Sequence, residues 1–130
     1  MRAAPAEWVT GAVSVERLAA PVAPSRLRVD SVRFAPGART VWHRHPLGQV
    51  LHITAGSGLV GRAGGGPAET VRTGDTVVIG ADEWHWHGAG PEGPMEHLAV
   101  QEAGADGTEA ERGAPVSDAE YASVLNVGTE

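Results

Sequence analysis

The chain contains no cysteine among its 130 residues. That excludes disulfides, thiolate metal sites and thiol nucleophiles, and leaves the redox compartment open. Lysine is missing as well, because all ten basic residues are arginine. No Schiff base and no lysine general base is therefore available. Positive charge is in deficit: 10 Lys+Arg stand against 16 Asp+Glu, a net charge of -6. With no basic run to form a local patch, such an acidic surface is a poor partner for nucleic acid or anionic membrane, and neither is expected. No stretch approaches the roughly 20 apolar residues of a membrane span. Met1 to Thr10 lacks the apolar run and cleavage-like region of a signal peptide, so a soluble, cytoplasmic protein is expected. Chemistry is left to histidine, carboxylates, hydroxyls, water or a cofactor.

What is present is glycine (18) and proline (9), scattered between short apolar runs rather than gathered into a linker. This is the punctuation of an all-β domain. The patterning predicts strands over Val13–Leu18, Leu27–Phe34, Thr40–His45, Gln49–Thr54, Gly58–Arg62, Glu69–Arg72, Thr76–Ile79, Trp84–His87 and Glu96–Gln101. Ala103–Pro115 is small and polar and reads as a mobile loop. Ser117-Asp118-Ala119-Glu120 has the hydroxyl and the Glu three residues on that make a capping box, so a short helix should run to about Leu125. The length fits one domain, with a barrel core at about 10–103 and a C-terminal loop and helix at 104–130. Many short strands with regular turns and no repeat of solenoid length indicate a sandwich, jelly roll or small barrel.

His43-x-His45 carries the first chemical signal. Side chains at i and i+2 of a strand share a face, so two imidazoles can bind one ion. Gln49 follows a turn and offers an amide oxygen; His85, in a separate strand, offers another nitrogen. A lone His-x-His pair is weak evidence, but the frame around it is specific. Gly37, five residues, His43-x-His45, three residues, Gln49, six residues and Gly56 match the first motif of the cupins, with Gln49 where Glu is common. Gly74, five residues, Gly80, Asp82 and His85 follow the second motif. There Gly80 and Asp82 replace the usual Pro and Gly, and Ala89 replaces a frequent Asn.

Longer phrases sharpen the likeness: Phe34-Ala-Pro-Gly-Ala-Arg39, Trp42-His-x-His-Pro-Leu-Gly-Gln49, Thr54-Ala-Gly56, His85-Trp-His-Gly88 and His97-Leu-Ala-Val-Gln-Glu102. Over nearly its whole length the chain resembles the small bacterial cupins that include manganese-dependent (R)-selective hydroxynitrile lyases. The resemblance implies a jelly-roll β-barrel with a short C-terminal helix, a metal held by His43, His45, Gln49 and His85, a small-molecule substrate, and a homodimer. Manganese is the first expectation for the ion; iron, nickel, cobalt and zinc suit the same donors.

His87 should share the inward face of His85, and His97 shares a face with Ala99. Both are candidates for moving a proton near the metal, against the plainer role of hydrogen-bonded wall residues. His52 alternates outward. Trp42 and Trp86 alternate opposite the ligands and should pack against a sheet or a partner, whereas Trp8 and Trp84 take no assignment. Arg39 and Arg44 have the fork to bind a carboxylate but read first as surface charges, and Asp82 and Glu83 as solvated turn residues. The function expected is a lyase of the hydroxynitrile type. The same cage also suits an Fe(II) dioxygenase, or a non-catalytic, metal-stabilised binding module.

Overall fold

The computed structural model describes residues 1–127. Twelve strands, a 3-10 turn at Ala6–Trp8 and one α-helix make up the regular structure of the described residues: β1 (Arg2–Ala3), β2 (Val9–Thr10), β3 (Val13–Ala19), β4 (Leu27–Phe34), β5 (Arg39–Thr40), β6 (His43–Arg44), β7 (Gln49–Arg62), β8 (Glu69–Arg72), β9 (Thr76–Ile79), β10 (His85–Ala89), β11 (Met95–Glu102), β12 (Glu111–Arg112) and α1 (Asp118–Val127). The sheet curls in the order β1-β3-β4-β11-β7-β10-β5-β2, with antiparallel pairing throughout. No helix among the described residues is long and apolar enough to cross a membrane.

The patterning predicts two strands, at Gln49–Thr54 and Gly58–Arg62; they form one, β7. Its first half pairs with β9 and β11 and its second half with β8 and β10, so a single strand passes from one wall to the other. The passage lies at Gly56, whose φ of 73° is strained for any residue with a Cβ. A Cβ there would also meet the Pro94 carbonyl. The predicted strand Thr40–His45 divides instead into β5 and β6, both of which lean on β10.

Alternation sets the interior. Leu51 and Ile53 of β7 and Met95, His97, Ala99 and Gln101 of β11 are buried, while His52 between its two apolar neighbours is exposed and hydrogen-bonded with Thr76 Oγ1. Phe34, Leu51, Ile53, Val60, Ile79 and Met95 belong to one apolar core. Full burial of side chains of this size stabilises the fold by about 1.5–3 kcal/mol each.

The capping box forms in both directions: Glu120 N–H donates to Ser117 Oγ at 3.0 Å, and Ser117 N–H to Glu120 Oε1 at 2.9 Å. The resulting helix α1 decides between the two packings open to the tryptophans. Trp86 does lie opposite the ligand histidines, but it is only 2% exposed, packed with Leu59, Val116 and Tyr121 of its own chain. Trp42 is half-buried and donates its indole N–H to Glu120 at 3.2 Å. The cover on Trp86 is intramolecular, so that tryptophan packs in its own chain and not against a partner.

Arg39 is likewise no surface charge. It is buried, bonds Val116 O and Asp118 Oδ1 at 2.9 Å each, and stacks on the Tyr121 ring at 4.5 Å. It anchors the helix to the barrel. Arg44 does stay near the surface, paired with Glu111 and lying over Trp84. The stretch expected as a loop, Ala103–Pro115, contains β12, which pairs with β6.

Candidate metal centre

Strand register builds the site. β6 and β10 pair antiparallel with His43 directly opposite His85. His87 follows two residues along β10 on the same face. His97 comes from β11, in the opposing wall, where it sits opposite Val32 and Ile53. Five imidazoles thus converge inside the barrel. Ring centroids lie 4.2 Å apart for His43 and His85, 5.1 Å for His43 and His45, 5.1 Å for His43 and His87, and 4.7 Å for His87 and His97. All five residues are buried.

Burial lowers the pKa of each ring, and neighbouring imidazoles lower His43 and His87 further. His85 and His97 are pushed down to about 4. The rings are therefore neutral at pH 7, the form in which histidine binds metal. The unfolded chain takes up protons near pH 6.5, before the fold does, so these groups favour the fold above that pH and stability falls as pH drops toward 4. Without metal, the protein should lose roughly 4 kcal/mol between pH 7 and pH 5 from His85 and His97 alone. Urea unfolding of the apoprotein at the two pH values measures this; equal stability would contradict neutral burial.

Three of the rings are oriented alike. Nδ1–H of His43 donates to Val41 O at 2.8 Å, that of His45 to Glu109 O at 2.9 Å, and that of His85 to Glu83 O at 3.0 Å. A backbone carbonyl only accepts, so each ring is left with an Nε2 lone pair, the arrangement that metal-binding histidines use. His45 Nε2 is buried without a partner. His85 Nε2 lies 3.0 Å from Gln49 Oε1. A neutral ring has one N–H, yet His85 has an acceptor at each nitrogen. With the proton held at Nδ1, a lone pair faces the amide oxygen, and a cation reconciles them. The donors present thus fit a divalent ion.

Among the described residues, the three whose ligand atoms all lie within 4.8 Å of one another are His43, His85 and His87. His87, expected as a proton carrier or a hydrogen-bonded wall residue, therefore belongs to this nitrogen cluster, and His45 does not. Yet His87 is oriented differently from the other three. Its Nδ1 meets His97 Nε2 at 3.0 Å instead of a carbonyl, and its Nε2 is buried and unpaired. Its backbone N–H is held by Thr40 Oγ1 at 3.1 Å.

A cavity of about 570 Å³ opens beside this cluster. Its walls are mainly apolar, with Trp8, Val9, Val13, Val15, Val32 and Ala99; His43, His45, Gln49 and His87 present polar groups on one side, and Arg17, Asp30, Gln101 and Glu109 add a second polar edge. His97 does not line it and stands behind His87. Trp8, without assignment from the pattern, is a wall residue edge-on to His43 at 6.5 Å. Two further residues were not singled out in the sequence. Glu109 holds His45 through its carbonyl, and Asp30 lies buried at the cavity wall. Glu83, expected as a solvated turn residue, orients His85 through its carbonyl and pairs with Arg62 at 3.0 Å. Asp82 is exposed in the turn, as expected.

Residues 31–101, a little over half of the chain, match the family model described as Cupin domain. The chain belongs to the cupin family. Among curated relatives, this cupin is 49% identical over 98 residues to the (R)-mandelonitrile lyase of Granulicella tundricola, a match covering 75% of this chain and 74% of that protein. Among solved structures it is similar to a cupin-like protein of Thermotoga maritima, with a TM-score of 0.86 and 34% identity over 94% of this chain and 91% of that one. A polyketide cyclase of Streptomyces resistomycificus shares the cupin fold at a TM-score of 0.64 and 22% identity, covering 85% and 76% of the two chains.

Proposed function

We propose that this cupin is a metal-dependent lyase that cleaves and forms cyanohydrins carrying an apolar substituent. The observation that carries the reading is His87: a pocket-facing imidazole backed by a second imidazole, beside a cluster of metal-competent nitrogens in an apolar cavity. The similarity to a mandelonitrile lyase supports the same choice.

His43, His45, Gln49 and His85 would hold the ion, with manganese the first candidate. Their common orientation, with Nδ1–H given to a carbonyl, separates the three histidines from His87. A bound divalent ion supplies Lewis-acid charge, with no change of oxidation state, against the negative charge that develops on the nitrile. The rest falls to the protein. His87 Nε2 takes the hydroxyl proton, and His97 accepts the Nδ1–H of the imidazolium that results. The bond between the carbinol carbon and the nitrile breaks with its electron pair going to cyanide, the His87 imidazolium returns its proton to that cyanide, and aldehyde and HCN leave. Trp8 and the valines hold the substituent and keep water from the proton transfer.

The decisive experiment measures metal content and then mandelonitrile turnover, under air and under argon, before and after chelation. Equal turnover in both atmospheres, lost on chelation and restored by Mn(II), is expected. Oxygen uptake with iron bound and no cyanohydrin cleavage would replace the lyase with an oxygenase. Charge gives a second check. Three imidazoles and one amide cancel none of the ion's charge, whereas Gln49→Glu cancels one unit. One charge a few ångströms away is worth about 1–4 kcal/mol. The metal-loaded variant should therefore be slower by roughly tenfold to several hundredfold.

The homodimer implied by the family resemblance would use a different face from the tryptophans. Val50 and Val78 sit opposite each other on β7 and β9 and are 38% and 66% exposed. Sedimentation at micromolar concentration of the wild type and of Val78→Glu would read this; a monomeric wild type would refute it.

A further inference from the structure

A glutamate at position 49 would present an oxygen to the metal whichever way its carboxylate turned. A glutamine does so only if its amide faces the right way, because one end accepts and the other donates. Gln49 does not stand alone. Its Nε2 donates to Gln101 Oε1 at 3.1 Å, and Gln101 Nε2 donates in turn to Asp30 Oδ2 at 3.3 Å and Glu109 Oε1 at 3.4 Å. Asp30 also receives Arg17 Nε at 2.6 Å. Gln49, Gln101 and Asp30 are all buried.

Two amides in series can reverse together and keep the bond between them. What prevents reversal is the far end of the chain. Every partner of the Asp30 side chain is a donor, and a carboxylate paired with a guanidinium offers only acceptor oxygens. Gln101 must therefore turn its NH2 group to Asp30, and Glu109 reinforces the same choice. The Gln101 oxygen then faces Gln49, which gives up its own NH2 and is left with Oε1 toward His85, at 3.0 Å.

We propose that Asp30, seconded by Glu109 and acting through Gln101, fixes the polarity of the Gln49 amide and so sets the metal affinity of the site. Asp30 and Gln101 are positioning residues for the metal, and the device answers the departure from glutamate at position 49. The inference rests on Gln49 being a ligand.

The test is a titration of the apoprotein with Mn(II) alone, for wild type, Asp30→Asn and Asp30→Asn/Glu109→Gln, each repeated in a Gln49→Glu background. Asn at position 30 can donate to Gln101, which lets both amides reverse and turns the Gln49 nitrogen toward the metal. Mn(II) affinity should fall about tenfold with Asp30→Asn, the scale of lost outer-shell partners, and further in the double variant. With Glu at position 49 the sign should change. Gln101 must then give its NH2 to that carboxylate and its oxygen to position 30, where Asn is welcome and Asp is not, so affinity holds or rises. A loss of equal factor in both backgrounds would be a plain charge effect and would overturn the proposal. Unchanged affinity in both variants would do the same.

Side-chain amide NMR of the apoprotein reads the orientation without metal. Gln49 NH2 contacts to Gln101 in wild type should move toward His85 in Asp30→Asn; contacts that stay in place overturn the orientation claim. Failure of the wild type to bind Mn(II) would overturn instead the ligand role of Gln49.

Discussion

A His43→Ala/His45→Ala variant should purify without metal and show cyanohydrin turnover no faster than buffer, while keeping its β-sheet circular dichroism. Two of the four proposed donors disappear, and with them the ring that stands directly opposite His85. His85 and Gln49 alone cannot hold a divalent ion at the concentrations met in purification. The fold should persist because the apolar core of Phe34, Leu51, Ile53, Ile79 and Met95 is separate from these rings. Losing two buried imidazoles also removes part of the acid sensitivity, so the variant should unfold at a lower pH than the wild-type apoprotein. His52→Ala is the control: that histidine is exposed and bonded to Thr76, and its loss should leave metal content unchanged. Full metal occupancy in the double variant would mean that the ion sits elsewhere.

The histidines were legible in the sequence because alternation is a local rule. His43 and His45 share a face, as do His85 and His87, and as do His97 and Ala99, whatever the rest of the chain does. The ends of β4, β8 and β9 agree with the pattern because Gly, Pro and apolar runs bound them locally. What stayed hidden depends on distance along the chain. Nothing near Arg39 announces that it will be buried; its partners Val116 and Asp118 lie 77 and 79 residues away. Trp86 was placed on the correct face, but the helix that covers it comes from the far end of the chain.

The role of Glu109 was illegible for a different reason. It orients His45 through a backbone carbonyl, a group that every residue carries, so side-chain identity gives no warning. The same holds for Val41 and Glu83. Its polar, glycine-containing segment reads as a loop, and only the pairing of β12 with β6 brings it over the site. The Asp30–Gln101 contact spans 71 residues and joins neighbouring strands in a register that composition does not specify.

His87→Ala separates the two roles open to that residue. The expected result is retained metal with kcat lower by about 10²- to 10⁴-fold, the usual contribution of a positioned general base. The reasoning starts from what each histidine does with Nδ1. His43, His45 and His85 give it to carbonyls, which cannot return a proton and so leave Nε2 with a lone pair able to hold a metal. His87 Nδ1 meets another imidazole instead, 3.0 Å from His97 Nε2, and once His87 is protonated on both nitrogens that Nε2 can accept its Nδ1–H and stabilise the cation. A ligand has no use for that partner; a base does. Because His97 acts only through His87, His97→Ala should cost less, about tenfold, with metal retained and with kcat affected more than KM. His97→Gln, which keeps an acceptor in reach of His87, should recover part of the loss. The counter-reading is that His87 completes the cluster with His43 and His85, whose ligand atoms all lie within 4.8 Å of one another. In that case His87→Ala would lose metal as His43→Ala does. Metal analysis and pre-steady-state turnover on the same samples decide between them: metal-depleted His87→Ala would reassign the residue to the ion, and metal-loaded but slow His87→Ala would leave it with the proton.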